Sequence, residues 1–268
     1  MKKIALTKNA VENHEELFPG LESKLQKTDP ELIELFDNWA FDEVIRQSKL
    51  ETRTRVMMIL ASTIACQAPG EYRVMLGAAL NVGVTPVEIK EILYQSVPYV
   101  GMAKVFDFLH ATNDVFGENG ISLPLAGQST TTPENRFEDG VAAQKACFGG
   151  MIDQMRRQSP ADQLHIQDFL AANCFGDYYT RAGLELKTRE LLTFALLISL
   201  GGCDPQVKGH VSGNLRVGND RGRLIDVTTQ LLPYIGYPRT LNALRAIDEA
   251  APPKTTTPDA SPDQGHRP

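Results

Sequence analysis

Three residues of reactive type lie close together late in the chain: Glu190, Cys203 and His210. Cys203 precedes Asp204-Pro205-Gln206, which reads as an Asp N-cap followed by a proline at the first helical position. A cysteine just before a helix N-terminus sits at the positive end of the macrodipole. That setting favours the thiolate and is expected to lower the thiol pKa. His210 follows seven residues later, about two turns into the same helix. Glu190 falls near the start of the preceding, largely apolar helix, where a buried carboxylate would exchange protons near neutrality. Glu, Cys and His together supply a proton relay with a nucleophile. Each also has a plainer reading. Glu190 would favour the helix dipole as a first-turn acid, His210 would be a satisfied core or surface residue, and Cys203 a small hydrophobe.

The chain repeats itself. With Leu50-Glu51 set on Leu184-Glu185, Phe41 meets Phe175, Thr54-Arg55 meets Thr188-Arg189 and Ile64 meets Ile198, an offset of 134. One residue is gained before Cys203, and at offset 135 Val82-Gly83 meets Val217-Gly218, Gln95 meets Gln230 and Pro98-Tyr99 meets Pro233-Tyr234. This period is too long for a solenoid unit and marks a duplicated domain. The duplication is an internal control. Arg55 and Arg189, or Tyr99 and Tyr234, occur in both copies and are explained by the shared fold. Glu190, His210 and Cys203 face Val56, Met75 and Ala68, so the reactive types belong to one copy alone. Cys66, Cys147 and Cys174 read as structural.

The elements that must position these residues are helices. Thr28-Asp29-Pro30-Glu31 and Thr85-Pro86-Val87-Glu88 read as capping boxes, and Ser159-Pro160-Ala161-Asp162 opens a helix by the same logic. Residues 52–65 and 187–200 are good helix sequences, the second apolar nearly all round, which signals burial. Gly83 reads as a helix stop, Asp220 as a cap, and Pro98 and Pro233 as helix ends. No run of alternating strand residues stands out, so the fold class is all-α. Residues 1–116 form the first domain and 136–251 the second, which carries the candidate site. Residues 117–135 read as a low-order linker, with three glycines and two prolines between Gly117 and Glu134. Residues 252–268, with five prolines and one apolar residue, read as a disordered tail.

Composition narrows the function. The 268 residues carry a net charge of −6 and show no basic run with interleaved aromatics, which argues against nucleic acid as a partner. Four cysteines at these spacings fit neither a disulfide scaffold nor a zinc site. No apolar run approaches the roughly 18 residues a membrane span needs, so a cytoplasmic protein with a small-molecule substrate is expected. Nothing calls for a cofactor or a metal.

The stretches FGDYYTRAGLELKTRELLTFALLISLGG (175–202), CDPQVKGHVSGNLRVGN (203–219) and LLPYIGYPRTLNAL (231–244) resemble the carboxymuconolactone decarboxylase family. In the first half LETRTRVMMILASTIACQ, MLGAALNVGVTPVEIKEIL and VPYVGMAKVFDFLHA resemble the same family. The resemblance implies a duplicated helical domain of the alkyl hydroperoxidase D type, assembled as a homotrimer of two-domain chains, a pseudo-hexamer. It implies two chemistries. Decarboxylases of the family use a histidine with a glutamate, matched here by His210 and by Glu190 of the KTREL motif. Thiol peroxidases of the family use Cys-x-x-Cys-x-x-x-His with an upstream glutamate. Cys203 and His210 match that motif, but Gln206 replaces its second cysteine, so no thiol within it can resolve a sulfenic acid. Because the Cys203, His210 and Glu190 set is complete in one half and absent from the other, a thiol-dependent peroxidase or oxidoreductase is the first expectation. A lyase, decarboxylating or isomerising a small carboxylated lactone, is the second, and a non-catalytic oligomeric binding protein the third.

Overall fold

The computed structural model describes residues 5–21 and 23–253, so most of the tail read as disordered lies outside the described residues. Helices of the first half are α1 (Lys8–Leu17), α2 (Leu25–Thr28), α3 (Pro30–Asn38), a π-helical turn (Trp39–Glu43), α4 (Val44–Arg46), α5 (Thr52–Ala65), α6 (Pro69–Asn81), α7 (Pro86–Val100) and α8 (Met102–Glu118). The second half repeats the order with α9 (Arg136–Phe148), α10 (Met151–Gln158), a 3-10 turn (Ala161–Gln163), α11 (Leu164–Phe169), a π-helical stretch (Leu170–Tyr179), α12 (Leu186–Leu200), α13 (Asp204–Arg216) and α14 (Arg221–Ala250). Among the described residues there is no strand. The duplicated all-α fold expected from the sequence is what forms.

The two copies share one hydrophobic core. Helices α5 and α12 are buried from Arg55 to Ala65 and from Arg189 to Ser199, because apart from Arg55, Arg189 and Glu190 their residues are apolar or small on every face. They pack against each other, with Ser62 Oγ and Ser199 Oγ 2.8 Å apart. Helices α7 and α14 each touch both central helices. Gln95 of α7 donates to Thr193 of α12, and Gln230 of α14 donates to the Val44 carbonyl of the first half. Each copy therefore completes the packing of the other.

Several local expectations hold and several need correction. Thr85 and Glu88 form the capping box of α7, and the Asp220 side chain accepts from the Arg223 N–H at the start of α14. Thr28 forms no capping box: it is the last residue of α2, and its hydroxyl is bonded to Asp29 instead. Pro98 and Pro233 do not end their helices. Each lies three residues before a glycine, Gly101 (φ 86°) or Gly236 (φ 73°), whose left-handed backbone makes the break. The linker is no loose tether. Its Gln128 carbonyl accepts from the Ala182 N–H, and the hydroxyls of Thr130 and Thr131 donate to the carbonyls of Thr180 and Gly176. The same backbone that ends the π-helical stretch thus straps residues 128–131 to the second half. No described helix is long and apolar enough to cross a membrane.

Candidate functional site

Helices α12 and α13 bring two of the three sequence candidates together. Glu190, on the second turn of α12, is 0% exposed, and its Oε2 lies 3.0 Å from Nδ1 of His210, which is 9% exposed. Close approach of the helices depends on Gly213: a Cβ there would stand 2.5 Å from Glu190 Oε2 and 2.9 Å from the Phe148 ring. Asn214 fixes the register. Its amide donates both hydrogens, one to the Glu190 carbonyl and one to the His210 carbonyl. Asn219 then donates to Asn214 Oδ1 and to the Lys187 carbonyl. The His210 ring is held edge-on by Phe148 and Tyr99, with centroids at 5.2 and 5.7 Å.

The other carboxylate oxygen is held by a chain of hydroxyls. Tyr179 donates to Glu190 Oε1 at 2.8 Å. That uses its single hydrogen, so the hydroxyls of Thr193 (2.7 Å) and Tyr99 (2.8 Å) must donate to Tyr179 in turn. The Cys174 thiol lies 3.9 Å from the Tyr99 hydroxyl at the far end. Burial, with the Glu190 charge adding to it, pushes the Tyr179 hydroxyl well above its ordinary range. Burial does the same to Tyr99, with Cys174 and then Glu190 adding to it. Burial pushes Cys174 up to about 12 and raises Cys147 further. These groups stay protonated and act as donors around one carboxylate.

The carboxylate on Nδ1 favours the tautomer that carries hydrogen there, which leaves Nε2 to take or give a proton. The pair is thus built as an oriented acid–base, with the glutamate behind the histidine.

Cys203 is not part of this group. Its thiol is turned back toward the Leu197 carbonyl at 3.3 Å, beside Val207 and Arg239, and it makes no hydrogen bond to His210 or Glu190. Cys203 is itself the N-cap residue of α13, Asp204 is the first helical residue, and neither the expected Asp cap nor any side-chain cap bond forms. The lowered thiol pKa expected from the helix dipole is also overturned. Burial, with the adjacent Asp204 carboxylate, pushes the Cys203 thiol up. Ala68 caps α6 as Cys203 caps α13, which fixes the pairing of the two positions.

Tyr99, Cys147, Phe148, Cys174, Tyr179, Thr193 and Asn214 were missed as site residues. Tyr99 recurs as Tyr234 and so reads in the sequence as a fold residue, yet it reaches from the first half to the second-half histidine. For three others the repeat held a usable signal: Tyr179, Thr193 and Asn214 face Ile45, Ile59 and Ala79. Among the described residues no group of three or more His, Cys, Asp or Glu side chains is placed to hold a metal ion.

With this geometry in view, comparison with known proteins identifies the class. The chain belongs to the carboxymuconolactone decarboxylase family, which it matches twice, over residues 30–114 and 165–249. It is 31% identical over 84 residues to the 4-carboxymuconolactone decarboxylase of Acinetobacter baylyi, covering 31% of this chain and 63% of that one. The match therefore spans less than two thirds of that relative. A solved Burkholderia xenovorans chain, assigned as a gamma-carboxymuconolactone decarboxylase subunit, is similar at 19% identity and a TM-score of 0.48, covering 88% of this chain and 95% of that chain.

Proposed function

We propose that this chain is a lyase that decarboxylates a small carboxylated lactone, with His210 moving the proton and Glu190 orienting the ring. The observation that carries the reading is the buried Glu190–His210 pair, in which one ring nitrogen is anchored and the other is left to exchange a proton. The bond between the ring carbon and the departing carboxylate breaks, carbon dioxide leaves, and the electron pair stays on the substrate. A proton from Nε2 of the doubly protonated His210 ends on carbon, and water restores the histidine. Family membership favours this lyase over the thiol peroxidase placed first from the sequence. The raised thiol of Cys203 and its turn toward the Leu197 carbonyl, away from the pair, favour it as well.

The same reading includes a homotrimer of two-domain chains in the cytoplasm. Supporting it, exposed apolar residues recur at matching positions of the two halves: Leu32 with Ile166, Leu35 with Phe169, and Phe106 with Leu241. A surface repeated in this way suits a ring in which each half meets the other half of a neighbour.

The test is carbon dioxide release from 4-carboxymuconolactone by the purified chain. His210→Ala is expected to lower kcat/KM by about 10²–10⁴-fold, and Cys203→Ser to leave it unchanged. No turnover by the unaltered chain, or full turnover by His210→Ala, overturns the reading. Loss of turnover in Cys203→Ser alone restores the thiol mechanism.

A further inference from the structure

A second candidate site lies outside the Glu190–His210 group. Between α7 and residues 123–128 is a cavity of about 480 Å³, within the size range of small-molecule sites. Its lining is divided. Val87, Tyr94, Leu123, Pro124 and Leu125 give it apolar walls, whereas Lys90 and Arg181 bring two cations to it.

The charges there do not cancel. Glu91, the acid in the lining, is taken on one side by Arg181, whose Nε lies 2.9 and 3.0 Å from its two oxygens. On the other side it is taken by Arg189 at 2.8 Å. One carboxylate thus serves two guanidiniums, and Lys90 adds a further positive charge. Lys90 is 8% exposed, and its amine is bonded to the neutral Asn113 side chain and lies over the Phe116 ring. Among the described residues no carboxylate pairs with it. Arg181 reaches Glu91 through Nε, lies over the Tyr94 ring, and makes no protein hydrogen bond from its two terminal amines among the described residues. An ammonium on a largely buried side chain, without a counter-charge, costs free energy unless an anion accompanies it. Guanidinium amines left open beside it supply the planar fork that a carboxylate accepts.

The geometry points to a binding site for a small organic acid, its carboxylate between Lys90 and Arg181 and its apolar body against Val87, Leu123 and Leu125. The site is separate from the proton-transfer pair and does not depend on the activity proposed for it. Burial also holds the Lys90 amine below its ordinary range, which an arriving anion would reverse.

Calorimetric titration with benzoate tests the inference, with benzyl alcohol and inorganic phosphate as the neutral and the body-less probes. Benzoate is expected to bind once per chain with a Kd of about 1 mM, and both other probes more weakly. Lys90→Met, which keeps the side chain's length, is expected to weaken benzoate at least about tenfold, and Lys90→Arg to restore part of the loss. A thermal melt of each variant shows that it folds. A crystal soaked with 4-bromobenzoate places the bromine in this cavity if the site is real. Equal benzoate binding in Lys90→Met, or loss of binding in His210→Ala with Lys90 intact, overturns the inference. Equal binding of benzyl alcohol removes the anion from it, and equal binding of phosphate removes the apolar wall.

Discussion

The two copies of the domain carry opposite kinds of side chain at matching positions around the Glu190–His210 pair. In the second half Tyr179, Glu190, Thr193, His210 and Asn214 form one hydrogen-bonded group. In the first half the matching positions are Ile45, Val56, Ile59, Met75 and Ala79, with Val56, Met75 and Ala79 fully buried. One scaffold thus accepts either a polar network or an apolar plug in the same place. A polar core set is tolerated only when every member is bonded, and an apolar set needs only to fill space. The comparison explains why the reactive residues arrive together: a single polar member among the apolar ones would be left without partners.

That account can be broken, most severely in the first half. Val56→Glu places a carboxylate at a fully buried apolar position of the first half and is expected to cost about 3–5 kcal/mol. Adding Met75→His supplies the partner and is expected to recover part of the loss. Chemical denaturation of the single and double variants measures both. A cost below that of an ordinary core change would mean that the apolar half is more permissive than its packing implies.

A smaller effect is expected at the helix crossing. Gly213→Ala drives a Cβ to 2.5 Å from the Glu190 carboxylate and is expected to cost about 1–3 kcal/mol. The first half already carries alanine, Ala78, at the matching position. Ala78→Gly there is expected to cost only about 1 kcal/mol, through helix propensity. Equal costs for the two substitutions would show that the close approach at Gly213 does not matter.

Only a small change in stability is expected where the change in composition is greatest. Replacing Glu190 and His210 together by the residues of the other half, Val and Met, is expected to alter stability by no more than about 2 kcal/mol. Tyr179 keeps its bonds to Thr193 and Tyr99, and the buried pair leaves as a unit. A larger loss, seen in the same denaturation experiment, would show that the pair holds the fold rather than serving chemistry.

Much of the fold was legible in the sequence. The cap at Thr85 and the apolar runs that became α5 and α12 act over a few residues, and the repeat between halves holds with a single one-residue gain. Errors arose where a local signal competed with a neighbour. Pro98 looked like a helix end, but a proline removes one bond and the chain continued to Gly101, where the backbone sign changes. The linker read as loose because its composition is that of a loop, yet its hydroxyls find carbonyls more than forty residues away in sequence.

The sequence by itself determined the duplication, the helices, and that Glu190 and His210 belong to one copy alone. Only the tertiary structure decided which reactive residues meet. Spacing puts Cys203 and His210 on one helix, but seven residues on a helix is about 10 Å of rise, and the two side chains serve different neighbours. Tyr99 lies 80 residues from Tyr179 and was indistinguishable from its repeat until α7 crossed to the other half. Contacts between distant segments depend on how helices pack, and packing is set by the whole core rather than by any local run.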